Sequence, residues 1–362
     1  MRVKLSEITN YSKGAQINGD ELIENGEYIY LNGGINPSGR WSSSNVSGDT
    51  VTISEGGNSS GYVNYISEPF WCGAHCYYLY DGPSNSKYLY YALKSQQDRL
   101  FAIRSGACMP NIKKSDLGNF ELEFDSDEQK QNEIVKILSN VEQVISSRQK
   151  ELELFDELIK ARFVELFGDP VSNSYGLPEA TLPELGEFAR GVSKHRPRND
   201  PKLLGGDYPL IQTGDVANAG LYITSFSSTY SELGLKQSKM WHKGTLCITI
   251  AANIAKTAIL EFDACFPDSV VGFTANERTS NIFIHYWFSF FQAILESQAP
   301  ESAQKNINLK ILSELKVIVP EKEKQDEFVE FIKQVDKSKV VVQKALDETQ
   351  TLFDSLMQEY FG

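Results

Sequence analysis

One long amphipathic segment occurs twice in this sequence, and it constrains the fold more than any other feature. Residues 132–168 align without a gap with residues 326–362 at a constant shift of 194 positions, and ten of the 37 aligned pairs are identical. Shared helical composition alone would not give ten identities. We therefore predict two copies of one long helix that frame the rest of the chain.

Both copies carry the hydrophobic repeat of a coiled coil. Alternate steps of four and three residues select an a/d seam with eight apolar residues at ten positions in each copy. The polar interruptions, Arg148 and Arg162 against Lys339 and Thr349, fall at non-equivalent places, which favours pairing within one chain. The alternative is two ordinary amphipathic helices packed on their own domains, although such helices are usually much shorter. The apolar seam positions are Ile134, Leu138, Val141, Ile145, Leu152, Phe155, Ile159, Leu166, Phe328, Ile332, Val335, Val342, Leu346, Phe353, Leu356 and Tyr360.

Signals for helix ends flank both copies. Residues 126–129 have the spacing of a capping box, and Pro320-Glu321 offers a first-turn proline followed by an acidic residue. Gly168 and Gly362 stand where a left-handed glycine commonly ends a helix. These signals bound both predicted helices.

The segments before the two helices are related as well. Residues 5–14 and 182–191 share the pattern Leu-x-Glu-aliphatic-x-x-aromatic-x-basic-Gly, which we interpret as a short helix that ends at glycine. The repeat therefore covers a domain plus its helix. The predicted parts are a first domain at 1–125, a central helix at 126–169, a second domain at 170–319 and a C-terminal helix at 320–362.

Charge and cysteine content set the outer limits on function. The net charge is −13, but the helical segments carry −7 and −4 and each globular segment only −1, so DNA binding is not excluded. Five cysteines without a CxxC pair fit a reducing cytoplasm. The sequence contains no run of 18 apolar residues, so it predicts no membrane span. Zinc at Cys72, His75 and Cys76 lacks a fourth ligand, and the glycine-rich turn at 56–61 lacks the Gly-Lys-Ser/Thr of a phosphate loop.

Four phrases in the second half of the chain resemble recurrent motifs of one family. They are residues 208–216, 244–246 through 259–260, 304–308 and 318–325. In this order they are similar to the DNA-specificity subunit of type I restriction-modification enzymes, and the resemblance covers the whole chain. The first domain departs from the pattern because it is shorter and lacks the basic cluster that opens the second.

The resemblance implies an α+β fold in which two similar target-recognition domains alternate with two long helices that pair as an antiparallel coiled coil in pseudo-twofold arrangement. Each domain would read half of a bipartite site in double-stranded DNA. The helices would set the spacer and dock two methyltransferase subunits, and restriction subunits would complete the complex. S-adenosylmethionine, ATP and magnesium would belong to the partners, with no cofactor in this chain.

Residues for DNA contact are expected on polar and basic loops. Residues 194–198 form the densest basic cluster, and Pro197 keeps it out of a helix, so it suits phosphate contact with an arginine reaching a guanine edge. The alternative is a plain solvated loop. The candidates in the second domain are Lys194, His195, Arg196, Arg198, Lys202, Gln212, Thr213, Lys236, Lys239, Lys243 and Lys256. The candidates in the first domain are Lys13, Asn32, Arg40, Asn58, Tyr62, Arg99 and Arg104.

Motifs for catalysis are missing from the sequence. The chain contains no Pro-Pro and hence no Asn/Asp-Pro-Pro-aromatic motif of the adenine methyltransferases, and it has no Ser-His-Asp order or nuclease cluster of carboxylates and lysine. We expect a chain that is catalytically silent alone. The alternatives are a coiled-coil scaffold whose domains bind protein or sugar, and an enzyme with an unrecognised site. If the chain together with a methyltransferase subunit binds DNA in a sequence-selective way, it is a DNA-specificity subunit and neither of these alternatives.

Overall fold

The chain forms two compact units that each combine helices with small sheets. Unit 1 comprises Met1–Lys150 and Val342–Gly362, and unit 2 comprises Glu151–Val341. This mixture confirms the predicted α+β class. The computed structural model describes residues 1–106, 108–251, 253–298 and 307–362. Within these residues, no helix combines the length and apolar character that crossing a membrane requires. Part of the 304–308 motif lies outside the described residues.

The helices range from single turns to two long rods. The two rods, α5 and α11, have 40 residues each, or about 60 Å at 1.5 Å per residue. The helices are α1 (Leu5–Ile8), α2 (Ser86–Lys94), α3 (Gln97–Ala102), α4 (Lys114–Gly118), α5 (Glu128–Phe167), α6 (Leu182–Leu185), α7 (Thr213–Asn218), α8 (Glu232–Lys236), α9 (Asn281–Gln298), α10 (Leu309–Glu314) and α11 (Lys322–Phe361).

The long helices pack together in antiparallel fashion. In unit 1 the first part of α5, through Ile134 and Leu138, shares a core with Phe361 from the end of α11. In unit 2 the last part of α5, including Phe163, shares a core with Phe328 from the start of α11. All twenty predicted seam positions, including the polar interruptions, are buried or half-buried. The two amphipathic stripes account for the pairing, and the shared cores confirm the antiparallel orientation that the resemblance implies.

The helices also bury residues outside the a/d seam. Phe163, Phe167 and Phe361 are among the most enclosed side chains of α5 and α11. The rings of Phe163 and Phe283 are stacked with centroids 5.4 Å apart, so the part of α5 in unit 2 contacts α9 as well as α11. A helix that packs on a partner helix and on a domain needs a wider apolar face than a two-helix seam, and the seam pattern alone did not indicate these residues.

Unit 1 contains two sheets and a closing pair of strands. The first sheet has the order β2-β8-β5-β6, the second has the order β4-β3-β7, and β1 pairs with β9. Pairing is antiparallel except between β3 and β7. The strands are β1 (Arg2–Lys4), β2 (Asn10–Lys13), β3 (Tyr28–Leu31), β4 (Gly39–Trp41), β5 (Thr50–Ser54), β6 (Val63–Ile66), β7 (Trp71–Cys72), β8 (Cys76–Tyr80) and β9 (Glu121–Glu123).

Unit 2 repeats this plan with longer sheets. Its sheets have the orders β11-β19-β16-β17-β13 and β14-β12-β18-β15, and β10 pairs with β20. The shared topology confirms two similar domains. The strands are β10 (Glu179–Thr181), β11 (Gly186–Arg190), β12 (Leu204–Leu210), β13 (Tyr222–Ile223), β14 (Ser228–Tyr230), β15 (Met240–Trp241), β16 (Leu246–Thr249), β17 (Thr257–Leu260), β18 (Ala264–Cys265), β19 (Val270–Ala275) and β20 (Lys316–Ile318).

Two local predictions were wrong. The repeated phrase is a single helical turn, α1 or α6, followed by a strand, β2 or β11, rather than a helix that runs to the glycine. Its closing glycine is required because a Cβ on Gly14 would lie 1.8 Å from the Cys72 oxygen, and one on Gly191 would lie 2.3 Å from the Phe266 oxygen. At the start of α5, Asp127 rather than Ser126 caps the helix, since its carboxylate accepts the backbone N–H of residue 129 at 2.9 Å.

The remaining helix-end signals fall near their predicted places. Gly168 has a φ of +74°, which confirms the left-handed end of α5. At the start of α11, Pro320 and Glu321 precede the helix, which begins at Lys322, so the predicted first turn lies slightly too early. The hydrogen-bonded helix therefore starts after the proline rather than with it.

Candidate nucleic-acid interface

The basic cluster of unit 2 lies on an exposed loop that is anchored at its first residues. The Val192 backbone N–H donates to the Phe266 oxygen at 3.1 Å, and the Gly191 N–H donates to the Val270 oxygen at 2.8 Å. These bonds hold the loop beside the turn at 266–269, which joins β18 to β19. Residues 194–199 are all exposed. The fold therefore exposes this cluster to solvent while backbone hydrogen bonds fix the start of its loop.

One carboxylate in that turn faces two arginines of the loop. The Asp268 Oδ2 atom lies 3.4 Å from the Arg196 Nη2 atom, and its Oδ1 atom contacts the Arg198 Nη2 atom. The Arg196 Nη1 group also donates to the Ser193 oxygen at 2.6 Å and to the His195 oxygen at 2.8 Å. The cluster is therefore less positive than its sequence indicates, because Asp268 lies among its cations.

A second carboxylate holds the histidine of the cluster. The His195 Nε2 atom lies 3.1 Å from the Asp200 Oδ2 atom. Bonds from the backbone N–H of Lys202 and from His195 lower the pKa of Asp200. The His195 backbone N–H donates to the Gln237 side-chain oxygen at 3.0 Å, which ties the loop to the residue after α8.

Arg198 shares a cavity with two further sequence-predicted residues. Gln212 and Thr213 lie at the start of α7, shortly after β12 ends at Leu210. The Gln212 side chain donates to the Ser228 hydroxyl at 3.3 Å. The cavity measures about 250 Å³, and its lining residues are Arg198, Asn199, Leu204, Leu210, Gln212, Thr213, Tyr230, Pro267 and Ser269.

The lysines of unit 2 fall into two sets. The Lys194 backbone N–H donates to the Gln237 oxygen at 3.3 Å, which brings Lys194 beside the segment that carries Lys236 and Lys239. Lys239 itself lies over the Trp241 ring at 3.8 Å. Elsewhere, Lys243 is paired with Glu261 at 2.8 Å and Lys256 lines a different cavity. The first set extends the basic loop, and the structure does not bring Lys243 or Lys256 into the Arg198 cavity.

In unit 1, the largely buried carboxylate of Glu55 organises the corresponding polar surface. Glu55 accepts from the Lys13 ammonium at 2.7 Å and lies 3.3 Å from the His75 Nδ1 atom. Burial raises its pKa, but the bonds from Lys13 and His75 outweigh burial, and the net pKa is lowered. Glu55 therefore stays ionised and holds Lys13, in the same way that Asp268 holds the arginines.

The two predicted asparagines lie on turns near this carboxylate. The Asn32 side-chain oxygen accepts the His75 backbone N–H at 3.2 Å. The turn that carries the exposed Asn58 is tied to the Gly33 oxygen by the Ser59 hydroxyl at 2.6 Å. Lys13, Asn32 and Asn58 therefore share one polar surface at the end of the β2-β8-β5-β6 sheet.

The other candidates of unit 1 contact the fold itself. Arg40 donates to the backbone oxygens of residues 26 and 27, and Arg99 donates to the Glu121 oxygen at 3.0 Å. Lys94 lies over the Tyr62 ring at 3.8 Å, and Arg104 lies over the Phe101 ring at 4.0 Å. These contacts account for their positions without a ligand.

The residues that sequence reasoning missed are mainly acidic. Asp268 and Glu55 were not candidates, because negative groups repel phosphate and the sequence gives no sign of their basic partners.

Cys72 and Cys76 are buried, and a hydrogen bond with Cys76 together with burial raises the pKa of Cys72. Across the described ranges, no group of three His, Cys, Asp or Glu side chains is arranged to hold a metal.

Comparison with known proteins places this geometry in a family context. A sequence profile described as the type I restriction modification DNA specificity domain matches residues 1–154 and 179–349. A type I specificity subunit of Mycoplasma genitalium is 28% identical over 68% of this chain and 69% of its own length. A second, from Mycoplasma pneumoniae, is 26% identical over 86% and 82%. A crystal structure of a type I restriction-modification S subunit from M. genitalium has a TM-score of 0.65 at 22% identity, and the match covers 100% of this chain and 96% of that one.

Proposed function

This chain belongs to the type I restriction modification DNA specificity family, and from that premise we propose that each of its two units reads one half of a bipartite site in double-stranded DNA. The observation that carries this proposal is the cavity of unit 2 where Arg198, Gln212 and Thr213 meet beside an exposed basic loop. Arginine and glutamine are the side chains that read guanine and adenine edges in pairs of hydrogen bonds.

The polar surface of unit 1 would read the other half-site. Lys13 supplies a cation paired with Glu55, Asn32 lies beside the His75 backbone, and Asn58 is exposed on the turn that Ser59 ties to Gly33. Amide side chains read adenine edges, and the lysine suits phosphate. The two units thus offer different chemistry to DNA, so we expect two different half-sites.

Exposed apolar side chains on the long helices would dock the partner subunits. Leu158 in unit 2 and Leu352 in unit 1 are equivalent positions of the repeat, and their exposed fractions are 47% and 51%. An identical leucine exposed in both copies fits two identical partners. We propose two methyltransferase subunits at these helices, with restriction subunits joining the complex in the cytoplasm. The partners would hold S-adenosylmethionine, ATP and magnesium, and the chain alone would neither methylate nor cut DNA.

The decisive experiment combines the chain with its methyltransferase partner. Methylome sequencing of cells that carry both should reveal one bipartite motif, and purified chain alone should transfer no methyl group. Replacement of residues 171–318 by the corresponding domain of a relative should change one half of the motif and leave the other unchanged. Methyl transfer by the isolated chain, or a change in both halves, would contradict the proposal.

The helices would also determine the distance between the half-sites. Seven residues inserted in both helices, after Lys150 and after Val341, preserve the a/d phase. They lengthen each helix by about 10.5 Å, or about three base pairs at roughly 3.4 Å each. The variant should methylate the same half-sites with a spacer about three base pairs longer. An active variant that keeps the original spacer would show that the helices do not determine it.

A further inference from the structure

The arginines of the basic loop differ in how many of their donors are already used. Arg196 spends one Nη group on two backbone oxygens of its own loop, at 2.6 and 2.8 Å, and lies 3.4 Å from Asp268. Arg198 has Asp268 as its one ion-pair partner within the described chain, and its side chain is 45% exposed. Arg196 therefore braces the loop, whereas Arg198 keeps donors available for a ligand.

We propose that Asp268 is a positioning residue that holds Arg198 in place to read a guanine edge in the half-site of unit 2. The inference rests on the proposed function and assigns a role to a carboxylate inside a basic surface. Arg198 touches the base, and Asp268 acts only through Arg198.

Asp268 stands on a rigid turn, which is what a positioning residue needs. The Val270 backbone N–H donates to the Pro267 oxygen at 3.0 Å across the turn, and the loop bonds of Gly191 and Val192 fix it from outside. The Asp268 Oδ1 atom is shielded from solvent and faces Arg198. The side chains of Arg198 and Asp268 are 45% and 33% exposed, so the ion pair orients the guanidinium at the surface and contributes alignment rather than a large binding energy.

The position of Arg198 favours a base over a phosphate. Arg198 lines the same cavity as Gln212 and Thr213, which offer further hydrogen-bonding groups. An arginine already paired with a carboxylate adds little net charge, so it contributes little to phosphate binding by counterion release. Its remaining donors keep the fork geometry that matches the two acceptors of guanine.

The test uses the full chain assembled with its methyltransferase subunit. Binding is measured on the cognate duplex, on duplexes with single base-pair changes through the unit 2 half-site, and on unrelated DNA. Asp268→Asn should reduce discrimination at one G·C pair on the order of tenfold, while affinity for unrelated DNA stays equal or rises. Arg198→Ala and Arg198→Lys should relax the same position. Asp263→Asn is the matched control, since Asp263 pairs with exposed His242 at 3.2 Å outside the cavity.

Each outcome decides the proposal. Wild-type discrimination by Asp268→Asn, relaxation at a position different from that of Arg198→Ala, or equal loss on every sequence would overturn it. If Asp268→Asn fails to fold, Asp268→Glu decides, because it keeps the charge and moves the carboxylate relative to Arg198. Relaxation at the Arg198 position is then expected, and wild-type discrimination would overturn the proposal. If the wild-type assembly itself shows no sequence preference, the proposed function fails instead, so the two failures are distinguishable.

Discussion

The Lys339 ammonium lies 2.7 Å from the Asp156 carboxylate and links α11 to α5 within unit 2. Lys339 occupies a seam position where its copy in α5 has Ile145. Its side chain is 29% exposed, whereas that of Asp156 is 64% exposed. Water therefore reaches the pair from the aspartate side, and the pairing of the helices owes more to the apolar seam than to this contact.

We expect a small coupling energy between these two residues. A double-mutant cycle with Lys339→Met and Asp156→Asn should give less than about 1 kcal/mol in the free energy of unfolding, because the pair is half-solvated. The coupling energy should decrease further in 1 M salt, because the Debye screening length is then only about 3 Å. A coupling well above this range in urea unfolding would mean that the ion pair, not the seam, dominates this contact.

Acid should destabilise unit 2 through one histidine. His285 is half-buried, its Nδ1 atom lies 2.9 Å from the Thr257 hydroxyl, and desolvation lowers its pKa from 6.5 to about 4. Between these values the unfolded chain binds more protons than the folded one. The stability of the folded state is therefore complete above pH 6.5 and falls as the pH drops toward 4, by about 3 kcal/mol in all.

The variant His285→Asn isolates this contribution, since asparagine can replace the Nδ1 contact and does not titrate. We expect unfolding free energies of the wild type to fall more steeply than those of the variant between pH 6.5 and 4. Parallel pH profiles would show that His285 titrates normally. Carboxylates that also titrate in this window affect both proteins equally.

Glycine at position 14 is expected to be irreplaceable. The Cβ of Gly14→Ala would lie 2.3 Å from the Cys72 carbonyl carbon and even closer to its oxygen. Relief of this clash requires a shift of the β7 backbone, which costs free energy. The variant should lose about 1–3 kcal/mol or more of unfolding free energy. Gly19→Ala is the control in the same unit, because nothing lies within 4 Å of its Cβ position. Equal thermal stability of both variants would contradict this explanation.

The exposed leucines of the repeat should matter for assembly but not for folding. We expect Leu158→Gln with Leu352→Gln to change unfolding free energy by within about 0.5 kcal/mol, as for surface substitutions, and to weaken methyltransferase binding on the order of tenfold. Val171→Gln, at a residue that is 46% exposed outside the helices, should leave both unchanged. Unaltered partner affinity, measured by titration calorimetry, would place the docking surface elsewhere.

Periodicity explains why the long helices were predictable. Each seam residue is specified by neighbours three and four positions away, so local sequence suffices. The ion pair of Arg198 with Asp268 depends instead on the order of strands in two sheets, which brings together residues 70 positions apart. The sequence analysis interpreted Gly14 and Gly191, which close the repeated phrase, as helix ends. The structure shows that glycine is needed there because another backbone segment approaches closely, which the sequence alone does not indicate.

The division of the long helices between the units affects how the chain folds during synthesis. Unit 2 is one continuous stretch, but the core of unit 1 needs Phe361 from Val342–Gly362. Nearly 200 residues separate the two parts of unit 1, or about 10–40 s of translation at roughly 5–20 residues per second. During that interval Ile134 and Leu138 lack the part of their packing that α11 supplies, and this part of their apolar face is open to chaperones or to misassociation. The unit whose sequence begins first is therefore the one whose core is completed last.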